Sequence, residues 1–436
     1  MCISNDANDP ALTIVVWQED SPLPDVLTKD SLQRIARHQY RSGVYTWLDN
    51  LCNPLWNSLT ECLPLWMAPN LVTLIGAMNC LVSYAGTWYY APTATEALPA
   101  VLLIVNGVLL ITAYTLDCMD GKQARRTKTS SPLGQLLDHG LDCLCLLAHV
   151  AAVQGWLRAG DSLVLQMIVQ STFYLAQWEE YFTGILPHGT GPIGVTEVNY
   201  GLALLSILFG TVWRVATTNP DHGPFDDDFA PYLQIILEKG WLPAKVLDAC
   251  GGSQTLLDAI ADWQIKDAML FAWFLLTVIL CSLSMMRVAV HLKSWKNTLR
   301  AFLQLITPVA IVILALLDEF PTITDRNSPP IHQAIRWKSF AVGLLYCFMT
   351  IKVIVFAMSR QSIAIVQLDV LPLLVAVSVS LYDPRLTAEG HVLLWQCLSL
   401  WWGLQLWNWA ATASRQICST LGIQMFTIPT ITRTEI

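Results

Sequence analysis

Residues 116–144 read LDCMDGKQARRTKTSSPLGQLLDHGLDCL and set four aspartates between two long apolar runs. One aspartate at the centre of a bilayer costs about 2.5–3.5 kcal/mol on insertion scales, so four in one neighbourhood need positive charge among them. Asp117 and Asp120 are three residues apart at the end of one run, and Asp138 and Asp142 four apart at the start of the next. Each pair shares a helix face, and the turn between them is short enough to bring the faces together. All-oxygen carboxylate clusters suit Mg2+ or Mn2+ rather than Zn2+, and two such ions balance four carboxylates. A paired-metal site of this kind serves phosphoryl chemistry. Gly121 and Ala124 leave room for a nucleotide to approach the backbone, Lys122 and Arg125 supply cationic donors for phosphate oxygens, and Pro132 and Gly134 punctuate the turn.

Outside this stretch the composition is that of a polytopic membrane protein, 54% hydrophobic and only 13% charged, with the apolar residues gathered in long blocks. Windows of about 20 apolar residues, enough to cross the hydrocarbon core, recur along the chain. They predict ten spans, near 70–90, 97–117, 134–156, 163–185, 194–216, 266–286, 301–317, 338–358, 363–382 and 391–414. Lys122, Arg125, Arg126 and Lys128 follow the second span, and Arg287, Lys293, Lys296 and Arg300 the sixth. The positive-inside rule places both loops in the cytosol and the acidic segment 217–262 in the lumen.

Much of the formal charge of −8 sits in that segment, which reads as a solvated linker with short amphipathic pieces. No basic tract with interleaved aromatics points to nucleic acid. The twelve cysteines form no CxxC pair and read as reduced, apolar filler. The expected fold is all-α and integral to the membrane. Its parts are a disordered N-terminus (1–26), amphipathic surface helices (27–62, with Leu27, Leu32 and Ile35 on one face), a transmembrane domain (63–417) and a cytosolic tail (418–436).

Asp117, Asp120, Gly121, Ala124, Arg125, Gly134, Asp138 and Asp142 match the signature D-x2-D-G-x2-A-R-x8-G-x3-D-x3-D with every spacing intact, and so resemble the CDP-alcohol phosphatidyltransferases. The words DGKQARRT, SSPLG, DHG and PLWMAPNLVT are similar to the choline/ethanolamine phosphotransferase branch of that family. The resemblance implies transfer of phosphocholine or phosphoethanolamine from CDP-choline or CDP-ethanolamine to diacylglycerol, releasing CMP. It also implies two Mg2+ or Mn2+ ions held by Asp117, Asp120, Asp138 and Asp142, and an endoplasmic reticulum or Golgi membrane with the site facing the cytosol. The expected partners are those substrates and the bilayer, without nucleic acid; a homodimer is left open.

Two residues qualify as the base that takes the hydroxyl proton. Asp142 suits if metals do not fully occupy it, and His139, with an intrinsic pKa of about 6.5, suits neutral pH. The branch's motif has glutamate one turn before this histidine, where this chain has Gln135. If His139 is the base, Gln135→Glu is expected to hold or increase the rate. Asn70 and Thr73 of PNLVT resemble the family's PN-x-x-T and are candidates to contact cytidine, or are simple helix-start residues. Glu197, an acid within a predicted span, is a candidate to face the aminoalcohol cation. Glu179 and Glu180 are expected near the cytosolic end of the fourth span, one of them in water. Other readings are a non-catalytic lipid sensor or scaffold and a different acceptor such as ceramide. P-loop, HExxH and GxSxG patterns are absent.

Overall fold

A computed structural model describes residues 25–41, 43–158, 163–187, 189, 194–213, 225–242, 244–317 and 328–428. Helices carry the chain, and no strand occurs among the described residues. Two short helices come first, α1 (Lys29–Ala36) and α2 (Trp47–Cys62). Thr28 caps α1, and Thr46 and Asp49 form a capping box on α2. The apolar side of α1 is inside the protein: Leu27 and Ile35 are buried, and the Gln416 side chain accepts from the Val26 and Leu27 amides at 3.0 Å each. By contrast α2 exposes Trp47, Leu51, Leu55 and Leu59, a stripe at four-residue spacing, and buries Trp56 and Thr60 on the other side. Such a helix suits a membrane interface.

Long helices follow: α3 (Pro69–Tyr90), α4 (Ala100–Arg126), α5 (Pro132–Leu157), α6 (Leu163–Thr183) and α7 (Val195–Leu208) with a wider turn at Phe209–Trp213. The acidic segment forms α8 (Ala230–Glu238), α9 (Ala244–Ala249) and α10 (Ser253–Ala259), closed by a Lys266–Asp226 ion pair at 3.0 Å; Asp221 lies outside the described residues. Then come α11 (Ile265–Leu292), α12 (Trp295–Leu303), α13 (Ile306–Leu316), α14 (Pro329–Ser359), α15 (Leu371–Tyr382) and α16 (Ala388–Leu421).

Every residue of α14 from Ala341 to Ser359 is buried, against α16, α6 and α5. A helix that is apolar all round belongs at the centre, and α14 is the axis of the larger core. A second core joins α3, α4, α5 and α7. Gly107 lets α4 and α7 approach closely, since a Cβ there would lie 2.5 Å from the Ala203 carbonyl oxygen. At the periphery α11 buries only Thr277, Ser284, Val288 and Leu292, and it exposes Phe271, Phe274, Leu275, Leu276, Ile279 and Met286, an apolar face suited to lipid.

Among the described residues six helices are long and apolar enough to cross a membrane (α3, α4, α5, α7 continued to Val212, α11 and α14), or seven if α12 and α13, bent by 41°, form one span. This is the architecture of an all-α polytopic membrane protein, but the described residues do not reach the expected count of ten. Among the expected spans, α15 has only 12 residues. The other two, α6 and α16, are long enough but carry glutamines and charged residues, and in α6 these are turned inward: Gln166, Gln170, Gln177, Glu179 and Glu180 are all buried. The expectation that Glu179 or Glu180 stays in water is therefore corrected.

Candidate active site

The turn Thr127–Ser131 folds α5 back so that its first turns face the last turns of α4. The Thr127 hydroxyl donates to the Gln123 carbonyl at 2.8 Å, the Thr129 amide donates to the Ala124 carbonyl at 2.9 Å, and Lys128 takes a left-handed conformation. Ser131 then caps α5, with Pro132 at its first position. Because α4 continues to Arg126 instead of ending near 117, Asp120, Gly121, Lys122, Ala124 and Arg125 are helical rather than in a loop.

Asp117, Asp120 and Asp138 each bring a carboxylate oxygen to within 4.8 Å of the others. On α3, Thr73 donates to Asp120 Oδ2 at 2.5 Å. Asp138 Oδ1 is buried without a hydrogen-bond partner, and Asp138 Oδ2 lies 3.7 Å from His139 Nε2. Asp142 sits one turn further along α5, facing Asp117 and Asp120 but outside the triplet. Among the described residues no lysine or arginine forms an ion pair with any of the four. Converging carboxylates with an unused buried oxygen and no ion-paired lysine or arginine among the described residues are a donor set that fits a hard divalent ion.

The other candidates are distributed around this cluster. Arg125 is exposed, and its guanidinium folds back over Gly121, with Nη1 3.5 Å from where a Cβ there would lie. Gly134 lies beside Asn70, whose Nδ2 donates to the Met425 carbonyl at 2.7 Å and ties the C-terminal segment to the start of α3. Lys122 is turned away toward α2, hydrogen-bonded to Asn53 and 6.0 Å from the Trp56 ring. Glu197 stands in the first turn of α7, where Oε2 accepts from the Gly194 amide at 2.8 Å.

Several residues at the site carried no signal in the sequence. Gln123 is fully buried and donates to the Pro64 and Met67 carbonyls, 3.0 Å each; Arg126 donates to the Leu63, Glu61 and Thr60 carbonyls at 2.7, 3.1 and 3.2 Å. Together they fasten the connection between α2 and α3 to the end of α4. Asp49 accepts from Thr196, whose hydroxyl also lies 2.6 Å from that of Tyr114, joining α2, α7 and α4.

The segment between α1 and α2 crosses the site. His38 Nε2 is 2.9 Å from Gln135 Oε1, the Tyr40 ring meets His139 edge-on at 5.4 Å between centroids, and the Gly43 amide donates to the Leu186 carbonyl at 2.9 Å. Burial lowers the His38 pKa below the ordinary histidine value, aided by Arg360 and opposed by the hydrogen bond to Gln135. Burial raises that of the Tyr40 phenol, and the Glu180 and Asp138 carboxylates add to the effect. The HQY at 38–40 was visible, but nothing in its spacing pointed to α5.

Residues 66–183, which hold the whole cluster, match the family model for CDP-alcohol phosphatidyltransferase. Along most of its length the chain is similar to the uncharacterized CDP-alcohol phosphatidyltransferase class-I family protein 3 of Dictyostelium discoideum, 27% identical over 92% of this chain and 98% of that protein. It is 37% identical to cholinephosphotransferase 1 of Gallus gallus over 43% of this chain and 56% of the relative. It is 35% identical to choline/ethanolaminephosphotransferase 2 of Arabidopsis thaliana over 41% and 47%. The match thus spans about half the length of each of these last two relatives. The likeness to the CDP-alcohol phosphatidyltransferases is thus carried by residues 66–183, the part of the chain that matches the family model.

Proposed function

We propose that the protein transfers phosphocholine or phosphoethanolamine from the corresponding CDP-alcohol to the hydroxyl of diacylglycerol, releasing CMP at the cytosolic face of an endoplasmic reticulum or Golgi membrane. The observation that carries this reading is the convergence of Asp117, Asp120 and Asp138 from two helices, with His139 beside Asp138. Asp117, Asp120, Asp138 and Asp142 would hold two Mg2+ or Mn2+ ions, which when bound screen the phosphate charge of the nucleotide. Thr73 fixes the Asp120 carboxylate by its hydrogen bond. Arg125 meets phosphate oxygens, and Gly121, Ala124 and Gly134 leave the helix surfaces low enough for the nucleotide to lie against them, with Asn70 at its edge. Glu197 faces the aminoalcohol cation.

His139 takes the proton from the diacylglycerol hydroxyl as that oxygen attacks the phosphorus bearing the aminoalcohol. The new O–P bond forms while the bond from that phosphorus to the CMP oxygen breaks, and the electron pair leaves with CMP. The Tyr40 ring edge limits the positions open to the His139 imidazole.

The experiment supplies radiolabelled CDP-choline or CDP-ethanolamine with diacylglycerol, or with ceramide, to purified protein and identifies the labelled lipid. Phosphatidylcholine or phosphatidylethanolamine is expected, falling on the order of a hundredfold in His139→Ala. Absence of labelled lipid from wild type would overturn the reading, and a ceramide product would correct the acceptor.

A further inference from the structure

Glu180 lies in the last turn of α6, 4% exposed, and takes no part in the chemistry described above. Its Oε1 accepts from Gln135 Nε2 at 3.0 Å, while its Oε2 is buried without a hydrogen-bond partner. Oε1 of Glu180 accepts here from the amide nitrogen, so this contact sets which end of the Gln135 amide faces α6. The amide nitrogen is committed to Glu180, and the amide oxygen is left for His38 at 2.9 Å. That oxygen only accepts, so His38 must donate from Nε2. One carboxyl group on α6 thereby selects the rotamer of a side chain on α5 and the tautomer of a histidine on the segment before α2. Two residues after His38, Tyr40 meets the ring of His139, which stands one helical turn beyond Gln135.

We propose that Glu180 is a positioning residue for the transfer reaction: through Gln135 and His38 it holds Tyr40 against His139 and fixes that imidazole in the site. The inference rests on the reading of His139 as the base in the proposed function. It reverses the expectation for Gln135→Glu. A glutamate at 135 would set its carboxylate against that of Glu180 in a buried site, where like charges repel strongly. Moving the carboxylate instead of adding one keeps the chain intact, because in the double variant Gln135→Glu/Glu180→Gln the amide at 180 donates to the carboxylate at 135, which still accepts from His38.

The experiment measures kcat and KM for the CDP-alcohol, together with melting temperature, in full-length wild type, Glu180→Gln, Gln135→Glu and the double variant, with CDP-alcohol binding as the check on folding. Glu180→Gln leaves two amides face to face with no fixed orientation, so kcat should fall about tenfold or more while KM changes less than about threefold. Gln135→Glu should lower kcat further and lower the melting temperature. The double variant should recover to within about threefold of wild-type kcat and regain the melting temperature, a non-additivity expected only of residues in contact. Wild-type kcat in Glu180→Gln, or a double variant no better than the poorer single one, would overturn the inference and leave the transfer reading standing. A wild-type protein that transfers from neither CDP-alcohol would overturn that reading and the inference with it.

Discussion

Asp117, Asp120 and Asp138 are held within 4.8 Å of one another by two helices, and that proximity makes the protein's response to divalent ions predictable. Without a cation the three carboxylates repel; with one bound, repulsion becomes coordination and the fold gains the binding free energy. Chelation should therefore lower the melting temperature as well as abolish transfer, with Mg2+ or Mn2+ restoring both. Ca2+, larger and looser in geometry, should support little transfer. Asp117→Ala, Asp120→Ala and Asp138→Ala should each be nearly inactive, still inserted in the membrane, and no longer stabilised by Mg2+. Full activity in excess chelator would end the metal assignment. Thr73 belongs to the same set, since its hydroxyl occupies one oxygen of Asp120 and leaves the other for a cation.

At the scale of elements, α6 shows how a helix rich in polar residues fits a membrane protein. Its glutamates are met by neighbours: Gln135 on α5 donates to one oxygen of Glu180, and Arg287 on α11 meets both oxygens of Glu179 through bonds of 2.5 and 2.7 Å, with Ser284 adding a third at 2.7 Å. This clamp joins α11, with its exposed apolar face, to the α14 core through α6. Removing the cation alone should be costly, because Glu179 would stay buried and unpaired. Arg287→Leu is expected to destabilise the protein by about 3 kcal/mol, the low end of the cost of breaking a buried pair since Arg287 itself is half-buried. Arg287→Leu with Glu179→Gln should recover much of that loss. Thermal unfolding in detergent measures both; equal loss in the single and double variants would show that the clamp's charge is not what holds α11.

For the whole molecule, the open matter is which helices cross. At 21 residues α6 is about 31 Å long, sufficient for the hydrocarbon core, and its buried polar residues would not meet lipid. If it spans, α5, α6 and α7 lie between Thr127 and Asp227, and these two positions are on opposite faces. In a background with the exposed cysteines replaced, a cysteine at Thr127 should react with an impermeant reagent only from the cytosolic side and one at Asp227 only from the lumenal side. Labelling of both from one face would remove α6 from the spans.

The sequence by itself determined the class and the place of the carboxylate cluster. Apolar blocks of span length specify helices in a membrane because unpaired backbone groups are too costly in hydrocarbon. Aspartates three and four residues apart specify a shared helix face, and the triplet of carboxylates is the result. Tertiary structure alone decided what the single-chain pattern cannot encode. Hydropathy averages around a helix and so cannot tell buried glutamines from lipid-facing ones, which is why 163–185 and 391–414 read as spans like the rest although α6 and α16 are not among the helices apolar enough to cross. Gln123 and Arg126 hold carbonyls more than fifty positions away, and such bonds leave no spacing to recognise. The Glu180–Gln135–His38 chain joins three separate elements. Its members meet because α6 packs beside α5 and the segment after α1 crosses both, a proximity set by packing and not by order along the chain.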